Sequence, residues 1–189
     1  DVELPAEAET YRAEVQQFLA SLDGRADEAR NIAIANAGYL VPHWPAPWGR
    51  DASAVQQVVI DEEFKRAKVR RAHLSIAAWA LPTIIEHGSA EQIESYVPAT
   101  FHGQISWCQL FREPGAGSDL ASLSTRAEPT EGGYLINGQK VWTSLAKQAT
   151  HGILLARTSA GKDGDRHHGI SYFLLDMSTP GIDIRPLRE

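Results

Sequence analysis

Two short segments contain the residue types that bind a flat, charged organic molecule. Residues 113–119 read Glu-Pro-Gly-Ala-Gly-Ser-Asp and follow an apolar run over 105–111. Because glycine has no Cβ, a turn of this composition lets backbone N–H groups approach a bound anion closely. Residues 138–144 read Gly-Gln-Lys-Val-Trp-Thr-Ser and place a large aromatic ring beside two hydroxyl groups. A glycine turn and an aromatic wall, joined by a hairpin, predict a site for a dinucleotide or a similar cofactor.

These segments resemble the signatures of the acyl-CoA dehydrogenase family, flavoenzymes that desaturate acyl-CoA thioesters between Cα and Cβ. The middle domain of that family has an apolar strand followed by Ser/Thr-Glu-Pro-Gly-x-Gly-Ser-Asp, and then Gly-x-Lys-x-Trp-x-Thr/Ser. Residues 112–119 and 138–144 resemble the two patterns in the same order and at a similar separation. The resemblance covers most of the chain, because it continues through residues 155–158, 168–171, 179–181 and 186–187 and weakly back to 44–49.

The reaction of this family needs a cofactor, because no amino-acid side chain accepts a hydride. The resemblance implies FAD, with Trp142 over one face of the isoalloxazine ring and Ser144 hydrogen-bonded near its reactive nitrogen. It also implies that Ser118 lies at the pyrophosphate and contacts the acyl-CoA substrate. The implied cofactor-binding positions are Gln109, Leu110, Phe111, Arg112, Gly117, Ser118, Trp142, Thr143 and Ser144. A core position is the general alternative for Trp142, and its motif context favours the cofactor role.

Arg112 departs from the family pattern, which has Ser or Thr here to reach the flavin ring with a hydroxyl. A guanidinium is larger, always charged and only donates hydrogen bonds. In one interpretation, Arg112 stabilises negative charge on the pyrimidine side of the reduced flavin, which is an electrostatic role. In the other, Arg112 fills the pocket or pairs with an acidic group and leaves a subunit that binds flavin poorly.

The sequence provides no residue that we assign as catalytic. In the family the catalytic base is a glutamate of the C-terminal helical domain, which would lie beyond residue 189. We expect Glu113 to orient the glycine turn, and Asp119 and Lys140 to pair with or cap nearby turns.

Helical patterns fill the first hundred residues. They predict helices over residues 6–22, over about 27–37, and from a cap at Ser53 through about Lys68. An apolar segment over 73–86 is interrupted by Pro82, and a capping box at Ser89 starts a last helix through Tyr96. Pro98 and Gly103 then close the helical part.

Two features of this helical part leave more than one interpretation. The third helix ends in a basic cluster, which we expect to favour the helix C-terminus and to stay solvated, with phosphate contact as the alternative. Its members are Lys65, Arg66, Lys68, Arg70 and Arg71. The proline- and tryptophan-rich loop over 43–49 is either a packed corner or a ligand contact.

From Gln104 the pattern changes to short β-branched or aromatic runs bounded by Gly, Pro, Asp or Ser. The predicted strands cover residues 105–111, 122–128, 134–141, 151–157, 170–176 and 182–186, with a glycine hairpin at 131–133. Helices first and strands afterwards indicate an α+β fold. It has an N-terminal helical domain, residues 1–103, followed by an antiparallel β-barrel or sandwich domain, residues 104–189. The four-helix bundle that follows in the family has no counterpart here.

Composition and charge argue against several classes of protein. The chain has 189 residues and a net charge of −6, which argues against a nucleic-acid surface. No run approaches the ~20 apolar residues of a membrane helix. A single cysteine, Cys108, and no visible secretory signal fit a cytoplasmic protein. The histidines at 167–168, with aspartates at 163 and 165, are compatible with a metal site, but a solvated hairpin tip is favoured.

Three hypotheses for function follow. The leading one is the helical and β part of an FAD-dependent acyl-CoA dehydrogenase that passes electrons to an electron-transfer flavoprotein or a similar acceptor, in a homo- or hetero-oligomer. The second is a non-catalytic partner subunit of a heteromeric acyl-CoA dehydrogenase. The third is a family offshoot with flavin-dependent oxidase or monooxygenase chemistry.

Overall fold

The computed structural model describes residues 6–161 and 164–186. The chain divides between Leu74 and Ser75 into two compact units. The predicted domain boundary at Gly103 falls later, and the division into residues 1–103 and 104–189 stays a prediction.

The first unit contains three helices: α1 (Ala6–Ala20), α2 (Asp27–Asn36) and α3 (Ala54–Arg66). Its core is apolar and aromatic, because the stripe predicted for the first helix packs against the third. The buried members include Val15, Leu19, Leu22, Ile34, Tyr39, Ile60 and Phe64. The predicted cap of α3 is confirmed, since Ser53 and Gln56 exchange side chain-to-backbone hydrogen bonds of 3.3 and 2.8 Å.

The loop over 43–49 packs tightly at Gly49. A Cβ added to Gly49 would lie 2.8 Å from the carbonyl carbon of Trp44. Such a distance leaves no room for a side chain, so a glycine is required at this corner. The geometry agrees with the packed-corner interpretation of this loop.

The second unit begins with α4 (Ala77–His87) and α5 (Ala90–Phe101). The prediction that the last helix ends at Tyr96 before Pro98 is wrong, because Pro98 lies inside α5. Proline removes only one donor, the N–H that would bond to the carbonyl of Glu94. In the same turn the hydroxyl of Thr100 donates to the carbonyl of Tyr96 at 2.7 Å. The last turn is also fixed by packing, since Trp107 Nε1 donates to Thr100 Oγ1 at 3.0 Å.

Five strands form one sheet: β1 (Trp107–Leu110), β2 (Arg126–Thr130), β3 (Gly133–Asn137), β4 (His151–Arg157) and β5 (Ile170–Asp176). The sheet order is β1-β4-β2-β3, and β5 is an additional strand that pairs with β4. The α+β fold class, helices first and sheet second, is confirmed. The detail of an antiparallel barrel or sandwich needs correction: the sheet is not closed, and it is mixed, because β4 pairs in parallel with β1 and with the start of β2.

Strand bounds agree with the prediction for β4 and β5 and shift elsewhere. A short 3-10 helix over Leu120–Ser122 replaces the start of the predicted strand 122–128. The predicted strand over 182–186 is wrong, because these residues have no ladder partner and the segment ends in Pro186, which lacks an N–H donor. The predicted hairpin is confirmed, with Gly132 at a φ of 81° between β2 and β3. Within residues 6–161 and 164–186, no helix is both long enough and apolar enough to cross a bilayer.

Candidate functional site

Glu113 is the centre of a hydrogen-bond network where β1 ends and the glycine turn begins. Its carboxylate is only 5% exposed. It accepts five hydrogen bonds: from the backbone N–H and hydroxyl of Ser124, the backbone N–H and hydroxyl of Thr125, and the ammonium of Lys140 at 2.8 Å. Burial opposes ionisation, but the bonds from Lys140, Thr125 and Ser124 outweigh it and lower the pKa of Glu113 to about 2. Glu113 therefore orients the turn, as expected from the sequence.

Lys140 joins the two motif segments. Besides its ion pair with Glu113, its ammonium donates to the carbonyls of Phe111 at 3.3 Å and Leu155 at 2.7 Å. The next residue, Val141, donates its backbone N–H to the carbonyl of Arg112 at 2.9 Å. The residues after Val141 are therefore held beside the end of β1, and the expected pairing role of Lys140 is confirmed.

Steric crowding by the Thr125 side chain explains why the second motif has glycine at position 138. A Cβ at this position would lie 2.7 Å from the Cβ of Thr125, the residue that Glu113 holds. Only glycine fits against Thr125 without moving the network.

Arg157 anchors the chain that follows the glycine turn. Its guanidinium donates to four carbonyls, those of Ala121, Leu123, Arg166 and His168. Nearby, Asp119 accepts from the hydroxyl of Ser122 and the guanidinium of Arg166, and both contacts lower the pKa of Asp119. The sequence predicted a pairing role for Asp119 but not the anchoring role of Arg157.

Trp142 is 67% exposed, so the core interpretation of this tryptophan is wrong. Its φ of 57° lies in the left-handed region, which non-glycine residues rarely adopt. Leu145 is 50% exposed and has a φ of 65°. Residues in such a strained backbone conformation persist only where the surrounding structure holds them in place, and they cluster at ligand sites.

Thr143, between the exposed Trp142 and Ser144, has a buried Oγ1 with no hydrogen-bond partner in the described part of the chain. A buried hydroxyl without a partner costs about 1–3 kcal/mol, so a ligand that supplied one would be favoured.

The glycine turn is open on its outer side. Reciprocal backbone hydrogen bonds of 2.8 and 3.1 Å between Glu113 and Ala116 close it. The N–H groups of Gly117 and Ser118 make no hydrogen bond within residues 6–161 and 164–186. A Cβ at Gly115 or Gly117 would meet nothing within 4 Å, so the fold itself does not demand glycine there. Open amides on a turn without side chains suit the close approach of an anion.

The remaining predicted positions lie on or after β1. Gln109, Leu110 and Phe111 are half-buried, and Arg112 is exposed. No acidic group of the described residues forms an ion pair with Arg112. No described hydrogen bond joins Ser118 to residues 142–144. The structure thus brings Arg112 next to the second motif and leaves Ser118 on the separate glycine turn.

Two other sequence expectations concern reactive groups. Cys108 is buried, and burial raises the pKa of its thiol to about 11, which fits the expected inert role. The described residues contain no group of three or more potential metal ligands, so the histidine pair 167–168 forms no such site with Asp165. Asp163 lies outside the described residues.

This geometry can bind a flat ring against Trp142 and an anionic group at the glycine turn, but its buried carboxylate, Glu113, is not suited to act as a general base. A buried carboxylate with a pKa of about 2 and five hydrogen bonds has little basicity left.

Comparison with known families defines the class. The model of the acyl-CoA dehydrogenase N-terminal domain matches residues 5–104, and that of the acyl-CoA dehydrogenase middle domain matches residues 108–189. The chain belongs to the acyl-CoA dehydrogenase family.

Individual relatives agree with this family. The chain is 55% identical to acyl-CoA dehydrogenase FadE34 of Mycobacterium tuberculosis over 97% of this chain and 26% of the relative. It is 37% identical to acyl-CoA dehydrogenase IpdE1 of Mycolicibacterium smegmatis over 97% of this chain and 54% of the relative. A solved structure of the ChsE4–ChsE5 complex from Mycobacterium tuberculosis superposes with a TM-score of 0.69 at 28% identity, covering 100% of this chain and 51% of that chain. The chain therefore spans about half the length of these relatives, or less.

Proposed function

We propose that the chain is the N-terminal helical and middle β part of an FAD-dependent acyl-CoA dehydrogenase, and that it contributes the flavin contacts. One observation carries this proposal. The Lys140–Glu113 ion pair and the Val141–Arg112 backbone bond hold an exposed Trp142 beside the end of β1, next to a Thr143 hydroxyl that has no hydrogen-bond partner among the described residues. An exposed indole with an unsatisfied hydroxyl next to it fits a flat polar ring.

When bound, FAD supplies the hydride acceptor that α,β-desaturation requires. The chain's own residues bind and orient it. In the proposal Trp142 covers one ring face, Thr143 and Ser144 offer hydroxyls to its polar edge, and Gln109–Phe111 line the other edge with backbone groups. The open amides of Gly117 and Ser118 receive negative charge from the pyrophosphate and from the CoA moiety of the substrate.

The proposal also includes a proton-abstracting base, an electron acceptor and an assembly, none of which lies among the described residues. We assign the base to the part beyond these residues, since Glu113 is committed to its network. An electron-transfer flavoprotein or a similar carrier is the proposed acceptor, and a homo- or hetero-oligomer is the proposed assembly.

Fluorescence titration of FAD with the purified chain tests the cofactor site. Trp142→Ala is expected to weaken FAD binding about fivefold or more, because stacking on an aromatic ring contributes ~1–3 kcal/mol. Trp79→Ala is the matched control, since Trp79 is 58% exposed on α4 and has no proposed role. Equal affinity of both variants would contradict the placement of the flavin on Trp142.

A second candidate is a partner subunit that does not itself bind flavin. Two observations favour it: Arg112 stands where the family has a hydroxyl, and a similar solved structure is a complex of two named chains. In this case the parent would bind no FAD, and Arg112→Ser would gain flavin absorbance on purification. If the first candidate is correct, the parent binds FAD and Arg112→Ser does not increase the flavin absorbance of the purified chain.

A further inference from the structure

The first unit contains a groove of about 660 Å³ that the proposed function does not use. All of its lining residues fall between Leu40 and Leu74. This volume lies within the range of ~300–1,000 Å³ of small-molecule sites.

The groove has an apolar floor. Val41 and Phe64 lie at its base but are only 5% and 3% exposed, so the apolar surface open to a ligand comes mainly from half-buried lining residues such as Val69 and Leu74. Apolar groups that line a concave surface are typical of sites that bury an apolar ligand segment.

The rim of the groove is cationic. Lys65, Arg70 and Arg71 line it against a single carboxylate, that of Asp61. The rim is therefore locally positive, although the chain as a whole carries a net charge of −6. Arg66 and Lys68 of the same basic cluster do not line the groove. The cluster therefore splits into three cations that face one concavity and two that do not.

Arg71 is held in a fixed position on this rim. Its guanidinium pairs with Asp61, donates to the carbonyl of Tyr39 at 3.3 Å and lies 5.2 Å from the ring centroid of Phe64. Lys65 and Arg70 form no ion pair within the described residues. Both side chains are exposed and have no carboxylate partner among the described residues, so their charges are available to an anion at the rim.

We propose that this groove binds a small amphiphilic anion, an apolar chain that ends in a phosphate or carboxylate. The apolar segment lies on Val69 and Leu74, and the anionic head contacts Lys65 and Arg70. A long polyanion such as a nucleic acid is disfavoured, because the concavity is short and the chain as a whole is acidic. The proposal is independent of the flavin site.

Calorimetric titration of the purified chain with n-octyl phosphate, octanoate and n-octyltrimethylammonium, all below micelle formation, tests this proposal. The two anions are expected to bind and the cation of equal tail length is not, and added salt weakens the anions because it screens charge. The phosphate and carboxylate arms show which head group is preferred. Absence of binding by both anions, or equal binding of the cation, would overturn the proposal.

Matched variants locate the site. Lys65→Gln and Arg70→Gln are each expected to lower the affinity for octyl phosphate several-fold, because each removes a charge-assisted contact. Lys68→Gln removes the same charge from the same cluster outside the groove and is expected to keep the parent affinity. All three positions are exposed, so circular dichroism should show folded proteins. Loss of affinity in Lys68→Gln equal to that of the groove variants, or no loss in either groove variant, would contradict the assignment.

Discussion

The ammonium of Lys140 lies 2.8 Å from the carboxylate of Glu113, and both side chains are less than a tenth exposed. This buried ion pair joins two segments that lie 27 residues apart. It sets the position of the glycine turn relative to Trp142, because Glu113 starts the turn and Lys140 precedes the indole by two residues.

Breaking this pair from one side is expected to destabilise the chain strongly. Glu113→Gln leaves the Lys140 ammonium buried without a countercharge, and Lys140→Met leaves the carboxylate alone, so each should cost about 3–5 kcal/mol. Urea denaturation followed by circular dichroism measures the free energy of unfolding. Asp183→Asn is the control, because the exposed Asp183–Arg185 pair should contribute less than ~1 kcal/mol. If the control and Glu113→Gln lost similar free energies of unfolding, the buried pair would stabilise the chain no more than the exposed pair does.

The same carboxylate should make stability depend on acid pH. The pKa of Glu113 falls from 4.5 in a free glutamate to about 2 in the folded chain, so ionised Glu113 favours the folded state. This contribution is fully present above pH 4.5 and is lost as the pH falls towards about 2. The free energy of unfolding should therefore decrease over this range, and Glu113→Gln should remove that part of the decrease. An unchanged pH profile in the variant would assign the acid sensitivity to other carboxylates.

The glycines of the two motifs should respond differently to alanine. Gly138→Ala forces a methyl group against Thr125 and should cost about 1–3 kcal/mol of stability. Gly117→Ala meets open space and should leave the free energy of unfolding within ~1 kcal/mol of the parent. If the turn approaches a pyrophosphate, Gly117→Ala should nevertheless weaken FAD binding several-fold. A Gly117→Ala chain with full affinity would mean that the turn contacts no ligand.

Local patterns predicted the elements that are fixed by local interactions. The bounds of β4 and β5 follow from apolar runs flanked by breakers, and the capping box at Ser89 follows from its spacing to Gln92. The sequence predicts Ser53 as a cap, and the structure adds Gln56 as its capping-box partner. The prediction ended α5 before Pro98, but the helix continues to Phe101 and its last turn is held by the hydrogen bond from the Trp107 indole to the Thr100 hydroxyl, a contact outside the local pattern.

Contacts between residues that are distant in the sequence could not be predicted from local patterns. The parallel pairing of β1 with β4 brings together residues 44 positions apart, such as Trp107 and His151. Nothing in the sequence around Arg157 indicates that its guanidinium will meet carbonyls of Ala121 and Leu123. The motifs identified the candidate site, and only the fold shows what holds them together.

Thr143 gives a test in which stability and binding move in opposite directions. Thr143→Val replaces the buried hydroxyl, which has no hydrogen-bond partner in the part of the chain that the structure describes, by a methyl group of similar size. The free energy of unfolding should therefore rise by about 1 kcal/mol. The same change removes the hydroxyl that the proposed flavin would satisfy, so FAD binding should weaken several-fold. Thr143→Ser keeps the hydroxyl and should retain the parent affinity. Thermal denaturation and FAD titration of the same samples measure both quantities. A Thr143→Val chain that is less stable than the parent would show that the hydroxyl already has a partner, and its role as a flavin contact would lose its support.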